Sequence, residues 1–306
     1  MNQTATLDSL YITGGTIVDG TGAPARKGDL IIQGDTILSV GAPVSPPRGA
    51  SCLDAKGLII APGFIDIHSH TDEALLLRPL ADSKVAQGVT TDIGGNCGSS
   101  SAPLSAASRA LLQEELTPSG ETCDWQDFPG FFDRLQKKGI GPNFASLVGH
   151  GNLRSLTVGL DDRRASASEI DQMKSHLNSA LRAGALGLSL GLIYPPGCYA
   201  DRQELSALVG ALPRQSFFAV HMRDEGVAVV EALQEVLDVA ERTGVPLQIS
   251  HHKVSGRQNR PLLTKCIALI EDARARGLDV TADIYPYAAT HTSLSAVLPN
   301  WMKSGG

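Results

Sequence analysis

The sequence predicts an α/β fold: a (β/α)8 TIM-like barrel lacking its eighth unit, preceded by part of an N-terminal β-sandwich domain. Three observations lead there. After Gly57 short apolar runs alternate with polar loops and helical stretches, the rhythm of βα units on a parallel sheet. Those apolar runs are hydrophobic on both faces, as strands buried on both sides must be. Polar residues gather at their C-terminal ends, where barrels carry their chemistry.

From Leu10 to Leu53 the pattern is different. LYITGGTIVDG and DLIIQGDTILSVG are β-branched runs broken by Gly and Asp-Thr turns, which predicts hairpins. Strands this short need partners to close a core, so residues 1–61 are assigned to a partial sandwich and residues 62–306 to the barrel. Seven barrel strands are predicted, at Leu58–His68, Val89–Ile93, Phe144–Gly149, Leu186–Leu192, Phe217–Arg223, Leu247–His252 and Val280–Tyr285. Helices are predicted at Ala165–Ala183, Gly226–Thr243 and Pro261–Arg276, the last two with apolar residues at helical spacing. A doubly wound open sheet would carry a Gly-rich phosphate loop after its first strand, where this chain has HSH. The roughly twenty residues after the seventh strand are too few for another helix and strand, so the chain is expected to be an incomplete version of a longer protein.

Composition narrows the function classes. The 306 residues carry 26 Lys and Arg against 32 Asp and Glu, a net charge of −6, so no broad basic surface exists for nucleic acid. No apolar run approaches the length of a bilayer span, and the N-terminus lacks a signal-peptide layout. A cytoplasmic enzyme acting on a small molecule, with no nucleic-acid or membrane partner, is expected. Five cysteines without paired spacing fit a reducing compartment in which one thiolate serves as a metal ligand.

The candidate metal site starts from FIDIHSH. Side chains alternate along a strand, so His68 and His70 are expected to project to one side at the barrel mouth. His221 in FFAVHMRDE and His251 in PLQISHHK end two further strands, and barrel strands aim such ends at a common point. Cys97, in TTDIGGNCGSS, lies among glycines that allow close backbone approach, and Cys with His suits zinc. Cys52, Cys123, Cys198 and Cys266 read as inert buried cysteines. His252 should point away from the metal, His176 should be solvated on an outer helix, and His150 is a candidate for orienting a ligand.

GGTIVDGTG, APGFIDIHSHTD, GVTTDIGGNCGSS, GHGNLR, LGLSLGLIYPPG, HMRDE, ISHHK and DIYPY, in that order along almost the whole chain, resemble the amidohydrolase superfamily and within it the D-aminoacylase (N-acyl-D-amino-acid deacylase) family. The resemblance implies a tight zinc on Cys97, His221 and His251, and a weaker second site at His68 and His70 with Cys97 positioned to bridge. It implies that Lys253, Tyr285 and Tyr194 meet the substrate carboxylate, a role that a cation and phenol hydroxyls beside a metal suit chemically. GALGLSLGL holds no lysine to bridge two metals, which argues against the dihydroorotase and hydantoinase branches. The family's catalytic aspartate follows the eighth strand, with a carboxylate-binding arginine beyond it. The sequence stops at Gly306 before either, and Asp66 and Asp72 are misplaced to substitute.

The expected reaction is hydrolysis of N-acyl-D-amino acids to a carboxylate and a free D-amino acid. The alternatives are another metal-dependent amidohydrolase, acting on a cyclic amide or dipeptide, and a truncated chain that binds metal without catalysis.

Overall fold

The structure is a computed structural model describing residues 9–42, 45–298 and 302–303. The chain divides into two compact units, Met1–Phe64 and Ile65–Gly306.

The first unit is a single five-stranded sheet among its described residues. Its strands are β1 (Ser9–Ile17), β2 (Arg26–Gln33), β3 (Thr36–Gly41), β4 (Ser51–Asp54) and β5 (Ile59–Ile60). Their order is β3-β2-β1-β4, with β5 also on β1. The β1–β2 and β2–β3 pairs are antiparallel, while β4 and β5 run parallel to β1. The β1–β2 register slips between Ile12 and Gly15, and Gly14 takes a left-handed φ of 75° there, as a bulge requires. Buried Asp29 pins the bulge by accepting from Thr13 Oγ1 and the Gly14 N–H, both at 3.0 Å, and from the Tyr11 hydroxyl.

The second unit repeats strand and helix. Its strands are β6 (Phe64–Asp66), β7 (Val89–Gly94), β8 (Asn143–Ser146), β9 (Val148–Gly149), β10 (Gly187–Gly191), β11 (Phe217–His221), β12 (Leu247–Ile249) and β13 (Val280–Ala282). The helices are α1 (Ala74–Leu77), α2 (Asp82–Val85), α3 (Ala106–Leu116), α4 (Phe128–Lys138), α5 (His150–Thr157), α6 (Ala167–Arg182), α7 (Arg202–Val209), α8 (Val229–Thr243) and α9 (Leu262–Ala275). Two ladders form, β6-β7-β8 and β9-β10-β11-β12-β13, and β7–β8 and each pair from β9 to β13 are parallel. Residues 143–149 join the ladders. The Leu147 N–H donates to Gly94 O at 3.0 Å, and Ser146 O accepts from the Leu186 N–H at 2.9 Å, so β8 and β9 act as one strand broken at Leu147.

Alternation along β11 explains the two apolar layers. Phe218 and Val220 are fully buried in the large cluster shared with the helices, including Val229, Leu233, Val236 and Leu237 of α8. Ala219 faces the other way, into a small cluster with Ile93 and Leu147. His221, two residues beyond Ala219, is directed to that inner side at the strand's C-terminal end.

Several expected elements are redrawn. The run Leu58–His68 is two strands, because Ala61–Gly63 is unpaired and Pro62 has no N–H to offer a ladder. Its first part, β5, pairs with β1 in the N-terminal sheet. The last two barrel strands are shorter than expected, so His251, His252 and Tyr285 lie beyond β12 and β13. The three predicted helices are α6, α8 and α9, within three residues at each end. Among the described residues no helix is long and apolar enough to cross a membrane.

Candidate metal centre

His68 and His70 lie just past β6, so a loop brings their rings to 5.6 Å between centroids, where strand alternation was expected to do so. Asn96 clamps this loop, its amide donating to the carbonyl oxygens of Ile67 and Ile93 at 3.3 and 3.0 Å. Cys97 follows β7 with a left-handed φ of 54°, bracketed by glycines that no other residue replaces easily. A Cβ at Gly95 would sit 2.1 Å from Leu147 O, and one at Gly98 2.4 Å from Gly191 N. His251 also has a positive φ, 38°, a conformation that costs about 1–3 kcal/mol outside glycine and collects at functional sites.

These loops converge. Cys97 Sγ lies 3.3 Å from His68 Nε2 and 3.5 Å from His251 Nε2, and His251 Nε2 lies 2.9 Å from His221 Nδ1. Ligand atoms of His68, His70 and Cys97 fall within 4.8 Å of one another, as do those of Cys97, His221 and His251. Cys97 belongs to both groups. Burial, with Asp283 and Glu225 nearby, pushes the Cys97 thiol up to about 12. Burial and His251 push His221 down to about 3. A neutral imidazole facing further lone pairs is a set of donors awaiting a cation, and one soft sulfur among nitrogens fits zinc.

Two carboxylates missed by the sequence reading hold these rings. Asp283 Oδ1 accepts from His68 Nδ1 at 2.9 Å and from the His251 N–H at 2.7 Å, and Oδ2 accepts from Gln248 at 2.8 Å. Burial alone would raise its pKa, but the His68 contact and these bonds hold it below the usual carboxylate range. Glu225 lies 2.9 Å from His251 Nδ1 and 2.6 Å from Lys253 Nζ. It too is held low against burial, by His251 and Lys253. The available signal was proximity in sequence: Asp283 precedes Tyr285 in DIYPY, and Glu225 closes HMRDE.

Lys253 Nζ also stands 5.5 Å from the centre of the Tyr285 ring. The Tyr194 ring is 4.9 Å from His221, and its hydroxyl is 2.8 Å from Thr292 Oγ1. One cleft of about 1210 Å³ is lined by His68, His70, Cys97, Tyr194, His221, His251, Lys253 and Tyr285 together.

Other expectations fall elsewhere. His150 opens α5, fully buried, with Glu204 Oε1 at 2.7 Å, so its partner is none of the five candidate ligands. His176 is exposed on α6. His252 lies in the loop after β12, where strand alternation does not apply, and adds no ligand atom to either group. Cys123, Cys198 and Cys266 are buried as expected, whereas Cys52 is exposed because all four residues of β4 lie open.

The parallel βα ladders converge their C-terminal ends on one cluster of histidine and cysteine side chains, and the chain belongs to the amidohydrolase family, whose sequence pattern matches residues 52–302. It is 38% identical over 286 residues to a D-aminoacylase of Alcaligenes xylosoxydans xylosoxydans, covering 93% of this chain and 58% of that protein. It is 40% identical over 291 residues to the N-acyl-D-glutamate deacylase of the same organism, with the same coverage of 93% and 58%. The crystal structure of N-acyl-D-glutamate deacylase from Bordetella bronchiseptica, complexed with zinc and a phosphonate mimic of the tetrahedral intermediate, superposes with a TM-score of 0.83 at 39% identity. That match covers 92% of this chain and 59% of the other. The chain thus spans 58% of the length of these curated relatives.

Proposed function

We propose that this chain carries the metal- and substrate-binding part of a zinc-dependent enzyme that hydrolyses N-acyl-D-amino acids to a carboxylate and a free D-amino acid. The observation that carries the reading is the position of Cys97 Sγ, within 3.3–3.5 Å of histidine nitrogens from two groups, in a chain about 40% identical to deacylases of that class.

Cys97, His221 and His251 would hold the tighter zinc, and His68 and His70 a weaker second ion shared through Cys97. Zinc, when bound, supplies a Lewis acid for the amide carbonyl and lowers the pKa of water toward about 7. Asp283 and Glu225 fix the His68 and His251 rings. Lys253, Tyr285 and Tyr194 receive the amino-acid carboxylate at the edge of the cluster, which leaves the scissile carbonyl over the metal ligands.

Incubating the zinc-loaded protein with N-acetyl-D-methionine and N-acetyl-D-glutamate tests the reading. Release of the free D-amino acid, with little from the L-enantiomers, is expected. Equal rates on both enantiomers, or turnover of cyclic amides alone, would remove it.

A further inference from the structure

The cleft extends well past the side chains that would meet an amino-acid carboxylate. One wall is the face of α3 bearing Ser108, Leu111, Leu112 and Glu115, spaced i, i+3, i+4 and i+7 on one side of the helix. Such a stripe ordinarily packs into a core. Here Leu112, like Leu104 before the helix, packs into the core with only its edge on the cleft, while Leu111 keeps 63% of its surface exposed. Leu104, just before α3, and Leu160, just after α5, line the same cleft, Leu160 with 38% exposed. The Ser155 hydroxyl of α5 lies 3.3 and 3.4 Å from those of Ser105 and Ser108, holding the two helices together beside the groove.

This wall leads out from the metal cluster. From Cys97 the lining runs through Ser99 and Ser100 to Leu104 and then along α3. The stretch from Ser108 to Glu115 covers about 10 Å at the helical rise. Lys253 enters from beyond β12, whereas α3 follows β7, and three strand positions separate β7 from β12 in the ladder order. Lys253 and the leucines of α3 thus enter the one cleft from well-separated strands, and Cys97 is joined to α3 by the segment that lines it.

We propose that the leucine wall is an acyl subsite that takes an unbranched aliphatic chain of medium length, of the octanoyl class. The inference rests on the deacylase reading and specifies the acyl half of its substrate. Covering Leu111 and Leu160 removes apolar surface that is otherwise wetted, a gain that grows with each methylene laid against them. Glu73 and Glu115 border the same cleft and oppose a chain that ends in a carboxylate.

The test compares kcat/KM of the zinc-loaded protein for N-acetyl-, N-butanoyl-, N-succinyl- and N-octanoyl-D-methionine. Calorimetric binding of analogues in which a methylene replaces the amide nitrogen runs alongside. A half-buried methylene is worth about twofold, so the octanoyl analogue is expected to bind about 50-fold tighter than the acetyl one, with succinyl weaker than butanoyl. Leu111→Gln with Leu160→Gln, both at exposed positions, is expected to abolish that preference and leave the acetyl compound unchanged. Equal or weaker octanoyl binding, with D-methionine still released from the acetyl substrate, overturns the acyl subsite alone. The chain-length preference without any release overturns the deacylase reading alone, and absence of binding throughout overturns both.

Discussion

His68 Nδ1 lies 2.9 Å from Asp283 Oδ1, a link across 215 positions of sequence between the loop after β6 and the end of β13. An ionised carboxylate only accepts, so Nδ1 of a neutral His68 donates to it and Nε2 carries the lone pair that faces Cys97 Sγ at 3.3 Å. Asp283 thereby selects the tautomer that can bind a cation.

Replacing Asp283 with Ala is expected to weaken zinc binding by about 10- to 100-fold, measured by competition with a chromophoric chelator. Asp283→Asn keeps the volume but loses the charge that favours the donating imidazole, and should fall between. Unchanged affinity in both variants would remove the orienting role.

Lys253 and Glu225 separate binding from metal retention. Lys253→Met removes a cation from the cleft and keeps all five candidate ligand side chains, at the loss of one contact of 3.1 Å to His251 Nδ1. It should raise KM for an N-acyl-D-amino acid about 10- to 100-fold, the worth of a charge-assisted hydrogen bond, with zinc content unchanged by atomic absorption. Glu225→Gln touches both His251 and Lys253, so it should lower zinc affinity and raise KM together. Zinc loss in Lys253→Met would contradict this division.

The architecture and the positions of the cluster were legible in sequence for a physical reason: fully buried strands such as β10 leave an apolar run, and the first polar residue after each run marks a strand end. Side-chain direction was not legible. Strand alternation predicts the direction of His68 and His70, and the aim of a strand end that of His251, yet all three sit in loops, and Cys97 and His251 reach the cluster through left-handed backbone that no pattern of apolar residues encodes. Asp283 and Glu225 escaped notice because a carboxylate beside a strand end looks the same whether it faces water or an imidazole. The split at Pro62 could have been read from the missing N–H.

Glu204 lies almost wholly buried between His150 Nε2 at 2.7 Å and Arg154 Nη1 at 2.5 Å. Burial raises its pKa, but His150 and Arg154 outweigh that and hold it below the ordinary glutamate value. The unfolded chain therefore takes up this proton first as pH falls. The stabilisation is complete above the unfolded value of about 4.3 and is lost as pH drops through the lowered folded value. Glu204→Gln strands a buried guanidinium and is expected to cost about 3–5 kcal/mol at neutral pH. Urea midpoints across pH 3 to 7 check both statements, and the variant should show a shallower acid limb. An equal slope in both proteins would refute the assignment.

Metal removal should also be visible in stability. A ligand that binds only the folded state stabilises it by mass action, so stripping zinc with a chelator should lower Tm and restoring zinc should recover it. Cys97→Ser, which removes the sulfur common to both groups, should blunt the recovery. A Tm indifferent to zinc would count against a folded-state site.

The most direct measurement is X-ray absorption at the zinc edge of the reconstituted protein. Cys97, His221 and His251 sharing one ion predicts a single sulfur at about 2.3 Å with nitrogen or oxygen at about 2.0–2.1 Å, and loss of the sulfur shell in Cys97→Ser. A zinc environment without sulfur in the unaltered protein, or one unchanged by that substitution, would contradict it.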